Sequence, residues 1–318
     1  MKRVTLPGTD LTTSQLGFGS SGGRISDLER LHLYETAFDH EITHFDTARA
    51  YGFGGAERVL GRFLARRRDQ VTVTTKLGIV PPSSGLLLRA TKRAARTAER
   101  LVPSAGARAK QAAGNRLLAG NRFSVDDARA SLEMSLRELG TDYVDILLLH
   151  ECSAGDLHED LMTFLDARVH AGDVRFTGIA TGLESTASII GQDAAFPAII
   201  QVANSAKEPN LERLSLGRRA AITHSPFKGG LTPLHEAITS SLELRHRWAI
   251  ELQTDLSERT LSALMLSYSL SANRDGIVLF YSQREDHIVA DAAEASRPLP
   301  DDELTAFARF MRKQGAST

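Results

Sequence analysis

Short apolar runs rich in β-branched residues recur along the chain, and each is followed by a segment whose apolar positions fall three or four residues apart. Read as strands, the runs are "QLGFGS" (15–20), "ITHFDTA" (42–48), "VTVTTKL" (71–77) and "YVDILLLH" (143–150). The series continues with "VRFTGIA" (174–180), "AIIQVAN" (198–204), "RAAITHS" (219–225) and "GIVLFYS" (276–282). Helices are predicted between them, among others at 28–40, 56–67 and 124–140. In the last of these Val125, Ala128, Leu132, Leu136 and Leu139 share one face, with Ser124 where an N-cap is wanted and Gly140 where a C-cap is wanted. Strands this continuously apolar belong to a parallel sheet covered by helices. Eight β-then-α units are the number that closes a barrel. A doubly wound sheet is the alternative, but it usually opens on a glycine-rich phosphate turn, and "GFGSSGG" (17–23) lacks the required spacing. The pattern therefore predicts an α/β fold of the (β/α)8 barrel type. "VTLPGTDLTTSQL" adds a Pro-Gly turn between two alternating segments, predicting an N-terminal β-hairpin that plugs one barrel end.

Residues 81–122 break the rhythm. This long loop after the third strand holds nine Lys/Arg against Glu99 alone, and Pro103 and Gly106 split it into two expected short helices. Two readings stand for it: a solvated Ala/Arg-rich segment, or a cationic lid over an anionic ligand. Composition narrows the rest. At 318 residues, 42% hydrophobic and 24% charged, the chain is expected to form one barrel domain over 1–318 with 81–122 as an insertion. A formal net charge of −1 gives no general attraction to nucleic acid or an anionic membrane. One cysteine, Cys152, excludes an internal disulfide and fits a cytoplasmic location. Neither a signal peptide nor a transmembrane run is read.

A barrel carries its chemistry at the C-terminal ends of its strands. Those ends supply Asp46 with Tyr51 just beyond, then Lys76, then His150. Singly each has an ordinary explanation: a turn cap, a packing tyrosine, a snorkelling lysine, a rim histidine. Together they suit proton transfer. A free phenol titrates near pH 10, a neighbouring ammonium favours its ionised form, a carboxylate holds that ammonium, and an imidazole orients the substrate oxygen.

"FDTARAYGFGGAE", "TTK", "LGTDYVDILLLH" and "SPFKGG" together resemble the aldo-keto reductase family, in the right order over nearly the whole chain. "FSVDDARASLEMSLRELGTDYVDILLLH" is most similar to its bacterial aldose 1-dehydrogenase and pyridoxal dehydrogenase branch. The resemblance implies a TIM barrel that exchanges a hydride between NAD(P)(H) and a small aldehyde, ketone or alcohol. It places the catalytic tetrad on Asp46, Tyr51, Lys76 and His150, and requires no metal. For the cofactor it implies Gln201 at the carboxamide, with Thr181 in place of an expected Asn and Ala180 in place of Ser. His224 stands where a stacking aromatic is usual, and Ser225, Phe227 and Lys228 follow it. After the eighth strand Tyr281 replaces a Gly or Lys, Ser282 is retained, and Arg284, His287 and Asp291 face the adenosine end. NADP(H) is expected from family habit through Arg284 and Lys228, with NAD(H) as the alternative if Asp291 bonds a ribose hydroxyl. Phe53, Cys152, Phe227 and Trp248 are candidate pocket walls, Trp248 equally a packing anchor. The rival reading is a nucleotide-binding auxiliary protein with little turnover, and a lyase using Lys76 as an imine former comes third.

Overall fold

The structure is a computed structural model and describes residues 1–21, 25–79, 122–192, 196–228, 230–252, 254 and 256–315. The basic segment, apart from Arg122, lies outside the described residues, and so do the lid and the two helices expected there.

Eight strands close into a barrel: β3 (Leu16–Gly19), β4 (His44–Asp46), β5 (Thr72–Leu77), β6 (Val144–His150), β7 (Val174–Ala180), β8 (Ile199–Ala203), β9 (Ala220–His224) and β10 (Ile277–Phe280). They follow chain order, every neighbouring pair is parallel, and β10 closes on β3 through Val278 against Leu16 and Phe280 against Phe18. Each falls within a run read from the sequence. The described helices are α1 (Asp27–Asp39), α2 (Ala56–Leu64), α3 (Val125–Leu139), α4 (Glu159–Ala171), α5 (Leu183–Gln192), α6 (Leu231–Ser240), α7 (Leu242–Leu252), α8 (Glu258–Ala272), α9 (Glu285–Ser296) and α10 (Asp301–Gly315).

Alternation along a strand sends successive side chains to opposite faces. On β6, Leu147 and Leu149 join the layer between strands and helices, whereas Ile146 and Leu148 point into the barrel. There they meet Val4, Leu6 and Leu11 of the hairpin formed by β1 (Arg3–Thr5) and β2 (Thr12–Ser14). Thr13 accepts from the Thr72 hydroxyl at 2.8 Å, at the start of β5, so the hairpin plugs the N-terminal end as expected. The opposite end is left for the site.

Helix ends obey the local rules. Ser124 accepts from the Asp127 backbone N–H at 3.2 Å, and Gly140 ends α3 in the left-handed region at φ 62. Gly61 lets α2 approach α3 closely, since a Cβ there would lie 2.4 Å from the Glu138 carbonyl. Outside the barrel a second apolar cluster joins α6, α7, α8 and α10 around Trp248, which is fully buried against Phe307 and Phe310. Trp248 is thus a packing anchor and not a pocket wall.

Candidate active site

β4, β5 and β6 end side by side, bringing Asp46, Lys76 and His150 together at or next to their last residues, with Tyr51 in the turn beyond β4. On β5, Thr74 and Lys76 face the barrel interior while Thr75 faces the helices, the consequence of a two-residue repeat. Lys76 is 1% exposed, and its Nζ donates to Asp46 Oδ1 at 2.5 Å and to the Thr47 carbonyl at 3.0 Å. The other oxygen of Asp46 accepts from Gln201 Nε2 at 2.7 Å, so the carboxylate ties β4 to β5 and, across the barrel, to β8. The Lys76 ammonium lies 4.9 Å from the Tyr51 ring centroid, and the His150 ring meets Tyr51 edge-on at 5.9 Å.

Burial governs the proton chemistry here. Burial works against the Lys76 charge, but Asp46 and then Tyr51 more than offset it, and the ammonium is held above its ordinary range. For Tyr51 burial is also the largest influence and raises the phenol. Lys76 pulls the other way, while Asp46 and Glu151 add to the rise. Lys76 favours the phenolate as its place in the sequence predicts, but in the folded chain that pull is outweighed, and Tyr51 keeps its proton at neutral pH. His150 is pushed down to about 3 by burial, with Lys76 and His224 adding to it, so its imidazole is neutral. His224 falls to about 4 for the same reason, with Lys76 and Lys228 adding to it.

The turns that leave β6 and β9 are strained. Glu151 and Ser225 occupy the left-handed region at φ 58 and 62 without being glycine, a conformation that costs roughly 1–3 kcal/mol and concentrates at functional sites. Ser225 Oγ lies 2.9 Å from His224 Nδ1. No side-chain signal in the sequence announces either turn.

The cofactor candidates are already engaged in several ways. Thr181 donates to the Cys152 carbonyl at 3.0 Å. Lys228 is paired with Glu208. Arg284 binds Asp286 through two contacts at 3.0 and 2.5 Å. Ser282 Oγ accepts from the Arg284 N–H at 3.0 Å, and His287 is exposed. Phe227 packs between the barrel layer and the outer cluster. Cys152 is 1% exposed, and burial pushes its thiol up to about 12.

The same end of the barrel has capacity for a polar, anionic ligand. Thr47 Oγ1, Asn204 Nδ2 and Tyr281 OH, just beyond β4, β8 and β10, are buried without a hydrogen-bond partner. The N-terminus of α6 carries no side-chain cap and no acidic residue in its first turn, leaving backbone N–H donors available to an anion. These residues fit a dinucleotide. No helix among the described residues is long and apolar enough to cross a membrane, and no group of three metal-ligating side chains occurs among them.

Asp291 is 9% exposed on α9, and burial, aided by Glu294, pushes its carboxyl up to about 7. The folded chain holds this proton to higher pH than the unfolded chain, so its contribution to stability is full below the ordinary aspartate range and is lost as pH rises through about 7. Asp291→Asn is therefore expected to be more stable than the parent at pH 8, by on the order of 2–4 kcal/mol. The gap closes towards pH 5. Paired urea titrations check this, and a gap independent of pH overturns it.

The sequence profile of the aldo/keto reductase family matches residues 13–311. The chain belongs to the aldo/keto reductase family. Its relatives include the NADH-specific methylglyoxal reductase of Escherichia coli strain K12, 32% identical over 159 residues, which cover 47% of this chain and 42% of that protein. The D-threo-aldose 1-dehydrogenase of a Pseudomonas species is 31% identical over 180 residues, covering 54% of this chain and 51% of that one. The alignments thus span about half the length of these relatives. An aldo-keto reductase of Bacillus halodurans in its holo form superposes with a TM-score of 0.73 at 18% identity, covering 98% of this chain and 96% of that one, a likeness of fold.

Proposed function

We propose that this aldo/keto reductase is an oxidoreductase that exchanges a hydride with a small aldehyde or ketone, or with the corresponding alcohol. The observation that carries the reading is the buried Asp46–Lys76 pair set beside Tyr51 and the neutral His150. A nicotinamide cofactor, when bound, supplies or accepts the hydride. The residues expected to hold it are Thr181, Gln201, His224, Ser225, Phe227, Lys228, Ser282, Arg284, His287 and Asp291.

The chain's own groups handle the proton. Tyr51, protonated at neutral pH, donates to the carbonyl oxygen during reduction. Lys76 beside it favours the phenolate that remains, and Asp46, steadied by Gln201, keeps Lys76 in place. Neutral His150 bonds the same oxygen and orients it. The methylglyoxal and aldose relatives suggest small aldehydes and aldoses as the first substrates to try, with pyridoxal beside them. Turnover of the purified chain on that panel tests the reading. Tight dinucleotide binding with no oxidation or reduction of any of them would sink it in favour of an auxiliary role.

Between the two dinucleotides, the surroundings favour NAD(H). A 2′-phosphate needs cationic partners, yet Arg284 is bound by Asp286 and Lys228 by Glu208. The first turn of α9 adds Glu285 and Asp286, which repel an anion. This departs from the NADP(H) expected of the family. Calorimetric titration is expected to give NADH at least about tenfold tighter binding than NADPH, the equivalent of one unpaired charged contact. Tighter binding of NADPH overturns the preference.

A further inference from the structure

The segment that carries Tyr51 is one short 3-10 turn, Tyr51–Gly54, closed by the Tyr51 N–H on the Ala48 carbonyl and the Gly55 N–H on the Gly52 carbonyl. Gly52, Gly54 and Gly55 separate Tyr51 from α2, and Gly52 and Gly54 sit at φ 57 and 89. So short and glycine-rich a turn brings few side chains of its own to hold it against the strands. The anchor comes from Arg49, two residues earlier, whose Nη1 donates to Glu57 Oε2 at 2.9 Å and closes the loop across the glycines. Glu57 is 1% exposed, in the first turn of α2. Its other oxygen accepts from the Thr75 hydroxyl at 2.6 Å. Thr75 is the outward-facing neighbour of Lys76 on β5. The close seat of α2 on α3 at Gly61 holds Glu57 in turn.

One buried carboxylate therefore links the Tyr51 loop to the strand that carries Lys76. Stability alone is a weak reason for it, because an apolar replacement of a buried ion pair is often neutral or stabilising. Geometry is a better reason: a displacement of about 1 Å at a reacting group can cost 10²-fold in rate.

We propose that Arg49, Glu57 and Thr75 are positioning residues that fix the Tyr51 phenol against Lys76 and so set the rate of proton transfer, without touching substrate or cofactor. The proposal rests on Tyr51 being the acid/base. The test uses the full chain as wild type, Tyr51→Phe, Arg49→Lys and the double variant Arg49→Met/Glu57→Gln, which removes both buried charges together. Dinucleotide binding by calorimetry counts competent sites, and kcat and KM are measured per site. The double variant is expected to keep cofactor affinity and KM while kcat falls by about 10- to 100-fold, with Arg49→Lys recovering part of the loss. A role in stability alone lowers the melting temperature and leaves kcat per site unchanged; that result, beside an inactive Tyr51→Phe, overturns the proposal. A Tyr51→Phe variant as active as wild type instead removes the reading beneath it. Should the double variant not fold, Thr75→Val carries the test: a lower kcat at unchanged affinity supports the role, and an unchanged kcat overturns it.

Discussion

Replacing Tyr51 with Phe is expected to lower turnover by about 10²- to 10⁴-fold, the range supplied by a positioned general acid, while cofactor affinity stays unchanged. The substitution deletes one oxygen and keeps the ring. The edge-on contact with His150 and the Lys76 ammonium over the ring therefore survive, and the packing around them has no cause to shift. What is lost is the protonated phenol hydroxyl set beside Lys76 and His150. His150 cannot take its place, because an imidazole held near 3 has no proton to give as a cation. Burial also sets the pH response. As Tyr51 titrates above the ordinary phenol range, the basic limb of the reduction profile reports its ionisation and is absent in the Phe variant. Single-turnover hydride transfer in the two proteins, at matched cofactor saturation, decides the matter. Equal rates would remove Tyr51 from the mechanism.

The second large effect is expected at Lys76. Lys76→Met removes one partner of a fully buried pair and leaves Asp46 with Gln201 as its side-chain donor, a change that typically costs 3–5 kcal/mol, here taken as about that size. Activity falls as well, since nothing then opposes burial in keeping the phenolate out of reach. The two losses separate in a double variant. Lys76→Met with Asp46→Asn removes both charges and is expected to regain most of the stability, because a neutral amide can still bond Gln201. It is not expected to regain turnover. Urea midpoints and kcat for the three variants test this. A double variant as unstable as the single one would show that the cost lies in packing and not in an unpaired charge.

Much of the fold is legible in the sequence. The strands announce themselves because both faces of a barrel strand are buried, which writes uninterrupted runs such as "YVDILLLH" into the chain. Asp46, Lys76 and His150 are legible as candidates because each lies at or near the end of such a run, and strand ends are where a barrel can present polar groups. The ends of the runs were drawn too wide, as at 42–48, where β4 covers only His44–Asp46, since apolar residues continue into turns that pair less regularly. Other properties are sums over the whole fold. The direction in which the Tyr51 phenol moves depends on how burial and Lys76 balance, and no spacing records that. The bond from Gln201 to Asp46 spans 155 positions. The Arg284–Asp286 pair is two residues apart and visible in "REDH", yet Lys228 meets Glu208 only because β8 and β9 end together.

Trp248 is the chain's single tryptophan, and it belongs to the cluster outside the barrel. Its emission is therefore a gauge of how α6, α7 and α10 sit on one another, blind to the strands and the hairpin. A melting curve followed by that emission times the peeling of the outer layer, whereas far-ultraviolet circular dichroism times the collapse of the helices and strands as a whole. Any interval between the two curves measures how loosely the outer wall is fastened to the barrel it surrounds.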